Sequence, residues 1–401
     1  MSLLTIRQAY RTLVVLAVCL ALQMTGFAMI LPLFARRFES FGAGVGALGM
    51  SAMAYALTST IAAPFIGMLA DRFGRRPVIL FSLGAYAVAF TGYLLATSAW
   101  ILIGLRGLAG VCTAGLLPAM TGMVGDIAPE KQRGQWISIL TGGGSIGWIL
   151  GPLLGGLLYD NYGYVVPFAV SIGLTLGALL LAVLLVPETR PPVVHPSHAQ
   201  SDWRRGWQAM SARATFVLLL VIAFGTMFAW SFIEPEFMFY VYDDLGWSSS
   251  ELGLVMSAYG VAFMLGAFTL GQLSDRVGRK PVLVVGLALF SAQFIGLVIF
   301  KQAAWITAGF LLAGLGNALY DPALSASILD ITPSEHSAGM IGLKGTAGSL
   351  GNLAGPALVV LITPYVSPQA VFLMAAALVI VLAFVVLVYP LAPRLESLPG
   401  T

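Results

Sequence analysis

Twelve apolar stretches, each long enough to cross a lipid bilayer, restrict the fold of this chain more than any other feature. A membrane-crossing helix needs about 20 mainly apolar residues. That length recurs at roughly 12–35, 46–69, 77–96, 99–125, 135–158, 163–187, 214–241, 250–273, 281–300, 303–328, 338–363 and 368–391. In hydrocarbon every backbone N–H and C=O must find a partner inside the protein, so spans of this kind are helices. The expected fold class is an all-α integral membrane protein with twelve transmembrane helices. Composition agrees, since 59% of the 401 residues are hydrophobic and 9% are charged, against about 25% charged in a soluble domain. Charge this sparse leaves no basic face for nucleic acid. The first run, about 23 residues, is too long for a signal-peptide core and is read as a retained span. Cys19 and Cys112 lie inside apolar runs and read as small buried hydrophobes.

The longest polar interval, residues 188–213, divides the chain into an N-terminal six-helix bundle (1–187), a cytoplasmic linker and a C-terminal six-helix bundle (214–401). His195 and His198 stand among prolines in that linker, with no third ligand spaced to complete a metal site. Orientation follows from the lysines and arginines of the loops. With the N-terminus inside, fifteen of them face the cytoplasm, and only Arg36, Arg37 and Lys301 face outward. Both termini are then cytoplasmic. Short loops point to a bacterial inner membrane, and a single chain suffices as a monomer in lipid.

Shifting the sequence by 204 positions aligns it with itself. "GMLADRFGRRP" (67–77) falls on "GQLSDRVGRKP" (271–281), Tyr55 on Tyr259, Asp126 on Asp330, and "GSIGWILGP" (144–152) on "GSLGNLAGP" (348–356). Two parallel six-span copies are a transporter architecture with a central site. These motifs resemble those of the major facilitator superfamily, and more closely of its twelve-span drug:proton antiporters. The charged loop matches the superfamily signature between spans two and three. "GSIGWILGPLLGG" in span five matches the antiporter motif, and Arg106 with Gly110 matches part of a span-four motif in which Ala109 stands for the usual glutamine. The resemblance implies proton-coupled antiport of small molecules by alternating access.

In the charged loop, Gly74 allows a sharp turn and Pro77 opens the next helix. Asp71 ends span two, where its own helix dipole disfavours it, and a neighbouring helix N-terminus such as that of span eleven would suit it better. Arg72 can pair with Asp126, and in the second copy Asp275 and Arg276 face Asp330. The resemblance makes this set, with Arg75, a latch on the cytoplasmic side. In span five, Gly143, Gly147, Gly151 and Gly155 form a bare ridge at steps of four, with Pro152 able to bend the helix. The resemblance casts that ridge as the contact between halves that closes the outer side.

Ionisable residues inside spans are functional candidates by default. Arg106 lies about 10 Å below the outer face at ~1.5 Å per residue, with Glu234 at a similar depth in the other half. Glu234 ranks first as proton carrier, with Asp321 and Arg106 as further coupling residues. Asp321 and Lys344 can form a buried pair, structural or functional. Glu236 fits better as a hydrated residue near the outer surface. Gln23, Met24, Phe27, Tyr55, Trp148, Met227, Trp230, Tyr259, Asn317 and Tyr320 are candidates for an aromatic, methionine-rich pocket that accepts varied apolar ligands. No nucleophile–base set, metal cluster or nucleotide loop is present, so neither an enzyme nor a cofactor is expected. The nearest rival reading is a carrier for a specific metabolite or a lipid-linked sugar.

Overall fold

The computed structural model describes residues 6–189, 214–332 and 336–390. The expectations for His195, His198 and most of the linker lie outside the described residues. Among the described residues, twelve helices are long and apolar enough to cross a membrane: Ile6–Glu39, Val45–Phe73, Arg75–Leu95, Ala99–Ile127, Glu130–Tyr162, Val165–Leu185, Ala214–Asp244, Ser249–Leu270, Arg279–Ile299, Ala303–Asp330, Gly339–Ile362 and Pro368–Val388. They are spans one to twelve below. No strand occurs among the described residues.

Local chemistry sets the breaks. Leu31 and Pro32 interrupt span one, which runs as Ile6–Ile30 and resumes as Leu33–Glu39. Spans two and three are joined by Gly74 alone, at φ 106°, and the repeat-related Gly278 sits at φ 102° before span nine. A side chain resists that conformation, so the loop signature needs glycine there. Pro64, Pro152, Pro235, Pro322 and Pro356 all lie inside helices, as membrane helices tolerate when neighbours cover the freed carbonyl. Span seven ends in a π-helical turn, Tyr240–Asp244.

The chain forms two compact units: Met1–Val193 with Met238–Ser257, and Val194–Phe237 with Ala258–Thr401. In the first, span one packs on spans five and six, span two on span four, and span three on span six. In the second, span nine packs on spans ten and twelve, span seven meets span eleven, and span eight meets span ten. The sequence repeat is therefore a repeat of packing. Small residues make the close approaches, as expected where lipid removes any hydrophobic drive between helices. A β-carbon on Gly110 would stand 2.5 Å from the Tyr55 carbonyl oxygen, and one on Gly314 would strike the equivalent carbonyl of Tyr259. Large apolar side chains such as Val88, Leu184 and Phe268 are exposed, and lipid is the solvent they suit. Trp100, Tyr162, Trp305 and Tyr365, also exposed, each stand at or beside the arginine-poor end of a span, where interfacial aromatics belong.

Candidate functional site

At the arginine-rich end the charged loop holds one arginine between two carboxylates. Arg75 Nη1 lies 2.6 Å from Asp71 Oδ1, and its Nε 3.5 Å from Asp126 Oδ2. The second copy repeats this, with Arg279 2.5 Å from Asp275 and 2.9 Å from Asp330. Arg279 also donates to Ser274 Oγ at 2.7 Å. The expectation that Arg72 and Arg276 would take these roles is corrected. Gly74 turns the chain between spans two and three, which brings Arg75, the first residue of span three, back beside Asp71, while Arg72 keeps its guanidinium 5.4 Å from the Phe73 ring. The spacing, present in both copies, was a readable signal. Glu188, which falls in the expected linker, accepts a hydrogen bond from Arg75 N at 3.1 Å and so caps span three. Asp71 and Asp275 are largely exposed, so the bridges to them contribute only tenths of a kcal/mol each. Their value lies in fixing which helix ends stand together.

Inside the first unit, Arg106 is 5% exposed. Its guanidinium lies 4.7 Å from the Phe34 ring centre, 4.8 Å from Tyr55 and 5.9 Å from Phe27. Rings offering their negative faces partly replace the water this cation has lost. Neither Nε nor Nη1 has a hydrogen-bond partner. Phe27 packs on Tyr55 and Trp148, and the Tyr55 hydroxyl lies 3.3 Å from that of Tyr86 and 3.4 Å from Thr113 Oγ1. Met24 packs against Gly144 and Gly147. Gln23 is fully enclosed and its amide has no hydrogen-bond partner.

The second unit contains a cavity of about 350 Å³ lined by Ala223, Thr226, Met227, Asp321, Leu324, Lys344, Gly345, Gly348, Ser349 and Asn352. Lys344 Nζ donates to Asp321 Oδ1 at 2.5 Å and to Ser325 Oγ at 2.7 Å. The expected pair thus exists, and it stands in a cavity wall. Asp321 is its more exposed member, at 42% against 16% for Lys344. Elsewhere in this unit, Trp230 stacks on Tyr259 with ring centres 6.4 Å apart and meets Phe310 edge-on. Asn317 Nδ2 donates to the Tyr259 hydroxyl at 2.7 Å. Glu234 is half-buried.

Two expectations are corrected by burial. Glu236 is 5% exposed, not a hydrated outer residue, and accepts from Thr363 Oγ1 at 3.3 Å. Tyr320 is 1% exposed, with its ring 5.2 Å from that of Phe290, so it packs in the interior of the unit and is not part of the lining of the cavity at Asp321. A third correction concerns the glycine ridge. Gly143, Gly147, Gly151 and Gly155 all face the backbone of span one within the same repeat. The neighbouring Gly156 meets Ser249, and Pro152 meets Gly253, at the start of span eight. Span five stays helical from Arg133 to Tyr162, with Pro152 inside. No group of His, Cys, Asp or Glu suited to a metal occurs among the described residues.

A family model described as "Major Facilitator Superfamily" matches residues 16–242 and 219–400. Multidrug resistance protein MdtG of Serratia proteamaculans (strain 568) is 29% identical over 367 residues, covering 88% of this chain and 87% of that protein. A multi-drug resistance efflux pump PmrA homolog of Lactococcus lactis subsp. lactis (strain IL1403) is 27% identical over 365 residues, covering 89% of both. Among solved structures, a bacterial homolog of the human lysosomal transporter Spinster superposes with TM-score 0.75 at 16% identity, covering 94% of this chain and 95% of that one. A variant of the nucleoside transporter NupG gives TM-score 0.76 at 15% identity, covering 94% and 99%. With both repeats matched and the same helix pairings built twice, the chain belongs to the Major Facilitator Superfamily and is a multi-pass membrane transporter.

Proposed function

We propose that the protein exports amphipathic small molecules, cationic or neutral, in exchange for protons by alternating access. The observation that carries this reading is the Asp321–Lys344 pair in the wall of a drug-sized cavity, taken with two relatives named for multidrug resistance. Cavities of about 300–1,000 Å³ hold drug-sized ligands. Within the pair, all three protons of the Lys344 ammonium already face acceptors, namely Asp321 Oδ1, Asp321 O and Ser325 Oγ. The more exposed Asp321 carboxylate keeps a second oxygen for a newcomer. A proton and a ligand N–H donor compete for that oxygen, and such competition is what exchange requires. Glu234 and Arg106 are the further coupling groups. Met227 and the stacked Trp230 and Tyr259 supply apolar surface that can repack around different ligands.

The moving bodies in this reading are the sequence halves 1–187 and 214–401, joined by 188–213. The working form is a monomer in a bacterial inner membrane with both termini in the cytoplasm. The test uses proteoliposomes loaded with a pH-sensitive dye and an acidic lumen. Adding an amphipathic cation that carries N–H donors, such as ethidium, should release protons from the lumen in the wild type and not in Asp321→Asn. A wild type that moves a panel of such cations without moving protons would defeat the coupling. One that moves none of them, yet exchanges a single polar metabolite, would defeat the drug reading.

A further inference from the structure

The first turn of span eight has a cap that its own sequence does not provide. An α-helix starts with backbone N–H groups that lack intrahelical partners. Here Ser248 and Glu251 form a reciprocal capping box: Glu251 N donates to Ser248 Oγ at 3.2 Å, and Ser248 N donates to Glu251 Oε2 at 2.8 Å. Leu252 N reaches Ser248 O at 3.3 Å. Two donors remain, the N–H groups of Ser249 and Ser250, and both go to a carboxylate on span five. Ser249 N lies 3.1 Å from Asp160 Oδ1 and Ser250 N 2.8 Å from Asp160 Oδ2, which also accepts from Ser250 Oγ at 2.5 Å.

This capping crosses the repeat boundary, since Asp160 belongs to the first copy and Ser249–Ser250 to the second. Below it the contact is apolar and close, through Gly156 against Ser249 and Gly253 against Pro152, with Leu153 N donating to Ser257 Oγ at 3.2 Å. Alongside, Arg36 of span one lies over the Tyr242 ring at 4.0 Å and donates to the Trp247 carbonyl. The 204-residue offset places Pro364 opposite Asp160, and Val45–Gly46 opposite Ser249–Ser250. Duplication therefore did not supply this bond set. Among the described residues it has no counterpart in the other copy, whereas the arginine-rich ion-pair sets occur twice.

We infer that Asp160 is a positioning residue for transport. Its carboxylate locks the first turn of span eight to span five at the arginine-poor end, and it must release that turn when this end opens. A negative charge on two free N–H groups at a helix start also gains from the helix dipole, and the bond can be exchanged for water because Asp160 is exposed.

The test reads accessibility and needs no substrate, so its failure is separable from failure of proton exchange. In purified full-length protein carrying Cys19→Ala and Cys112→Ala, a reporter Val241→Cys replaces a side chain that is 0% exposed in the turn leading to span eight, where its carbonyl accepts from Trp247 N. Adding Asp160→Ala should speed its reaction with a polar maleimide about tenfold. Asp160→Asn keeps one acceptor oxygen and should give a smaller rise. Ser249→Pro removes one latch donor while placing proline at the first helical position, which proline favours, so it should also speed labelling with the helix intact. Labelling at the parent rate in Ser249→Pro, or in monodisperse Asp160→Ala, would overturn the assignment.

Discussion

Replacing Asp321 by asparagine removes the negative charge that Lys344 Nζ meets at 2.5 Å, leaving the ammonium with neutral acceptors alone: an amide oxygen, Ser325 Oγ and the backbone carbonyl of residue 321. At an effective dielectric constant of ~20, unit charges at that distance attract by ~7 kcal/mol before desolvation is counted. Desolvation offsets most of this, and removing one partner of a fully buried pair costs about 3–5 kcal/mol. Asp321 is 42% exposed, so water screens the pair and brings the expected loss down to ~2 kcal/mol. Lys344→Met should cost less, ~1 kcal/mol, because the charge it strands is the half-solvated one. The double variant should lose less than the two singles combined, with a coupling of about 1–2 kcal/mol. Thermal unfolding of the purified protein reads this, Asp321→Asn lowering Tm by about 2–3 °C at an unfolding entropy of ~2.1 cal/mol/K per residue. Losses that add within ~0.5 kcal/mol would show that the two side chains do not interact, and the coupling role built on their contact would fall with it.

Two further outcomes follow from the same geometry. Arg75→Ala and Arg279→Ala each release two carboxylates and should slow flux in proteoliposomes severalfold, while Arg72→Ala should stay within about twofold of wild type; an equal loss in Arg72→Ala would refute the assignment of Arg75 as the latch. Gly155→Ala would drive a β-carbon into the Met29 carbonyl, and Gly104→Ala meets open space. The first should cost ~3 kcal/mol or more, as overpacking against backbone does, and should sharply reduce monodisperse yield. The second should be neutral, and similar yields from both would refute close packing of spans one and five.

Much of the fold was legible because its strongest constraints act along the chain. A helix in lipid satisfies its backbone within one segment, so hydropathy alone delimited twelve spans, and loop arginines gave their expected direction. The self-alignment at 204 exposed two copies, and the copies do pack their helices alike. The charged loop was legible as a cluster of ion pairs, yet its bridging arginine was misassigned, since pairing depends on how the chain turns at Gly74.

The sites were less legible. Arg106, Asp321 and Lys344 stood out because charge inside a span is rare, and that much needs no structure. Only tertiary packing placed Arg106 among Phe27, Phe34 and Tyr55, set the Asp321–Lys344 pair into a cavity wall, and enclosed Glu236 and Tyr320. It also turned the glycine ridge toward span one and gave the free end of span eight to Asp160. The sequence determined which segments cross the membrane, because a crossing helix settles its backbone bonds by itself. The tertiary structure decided which side chains meet, because that depends on rotation and depth of neighbouring helices, which no single helix contains.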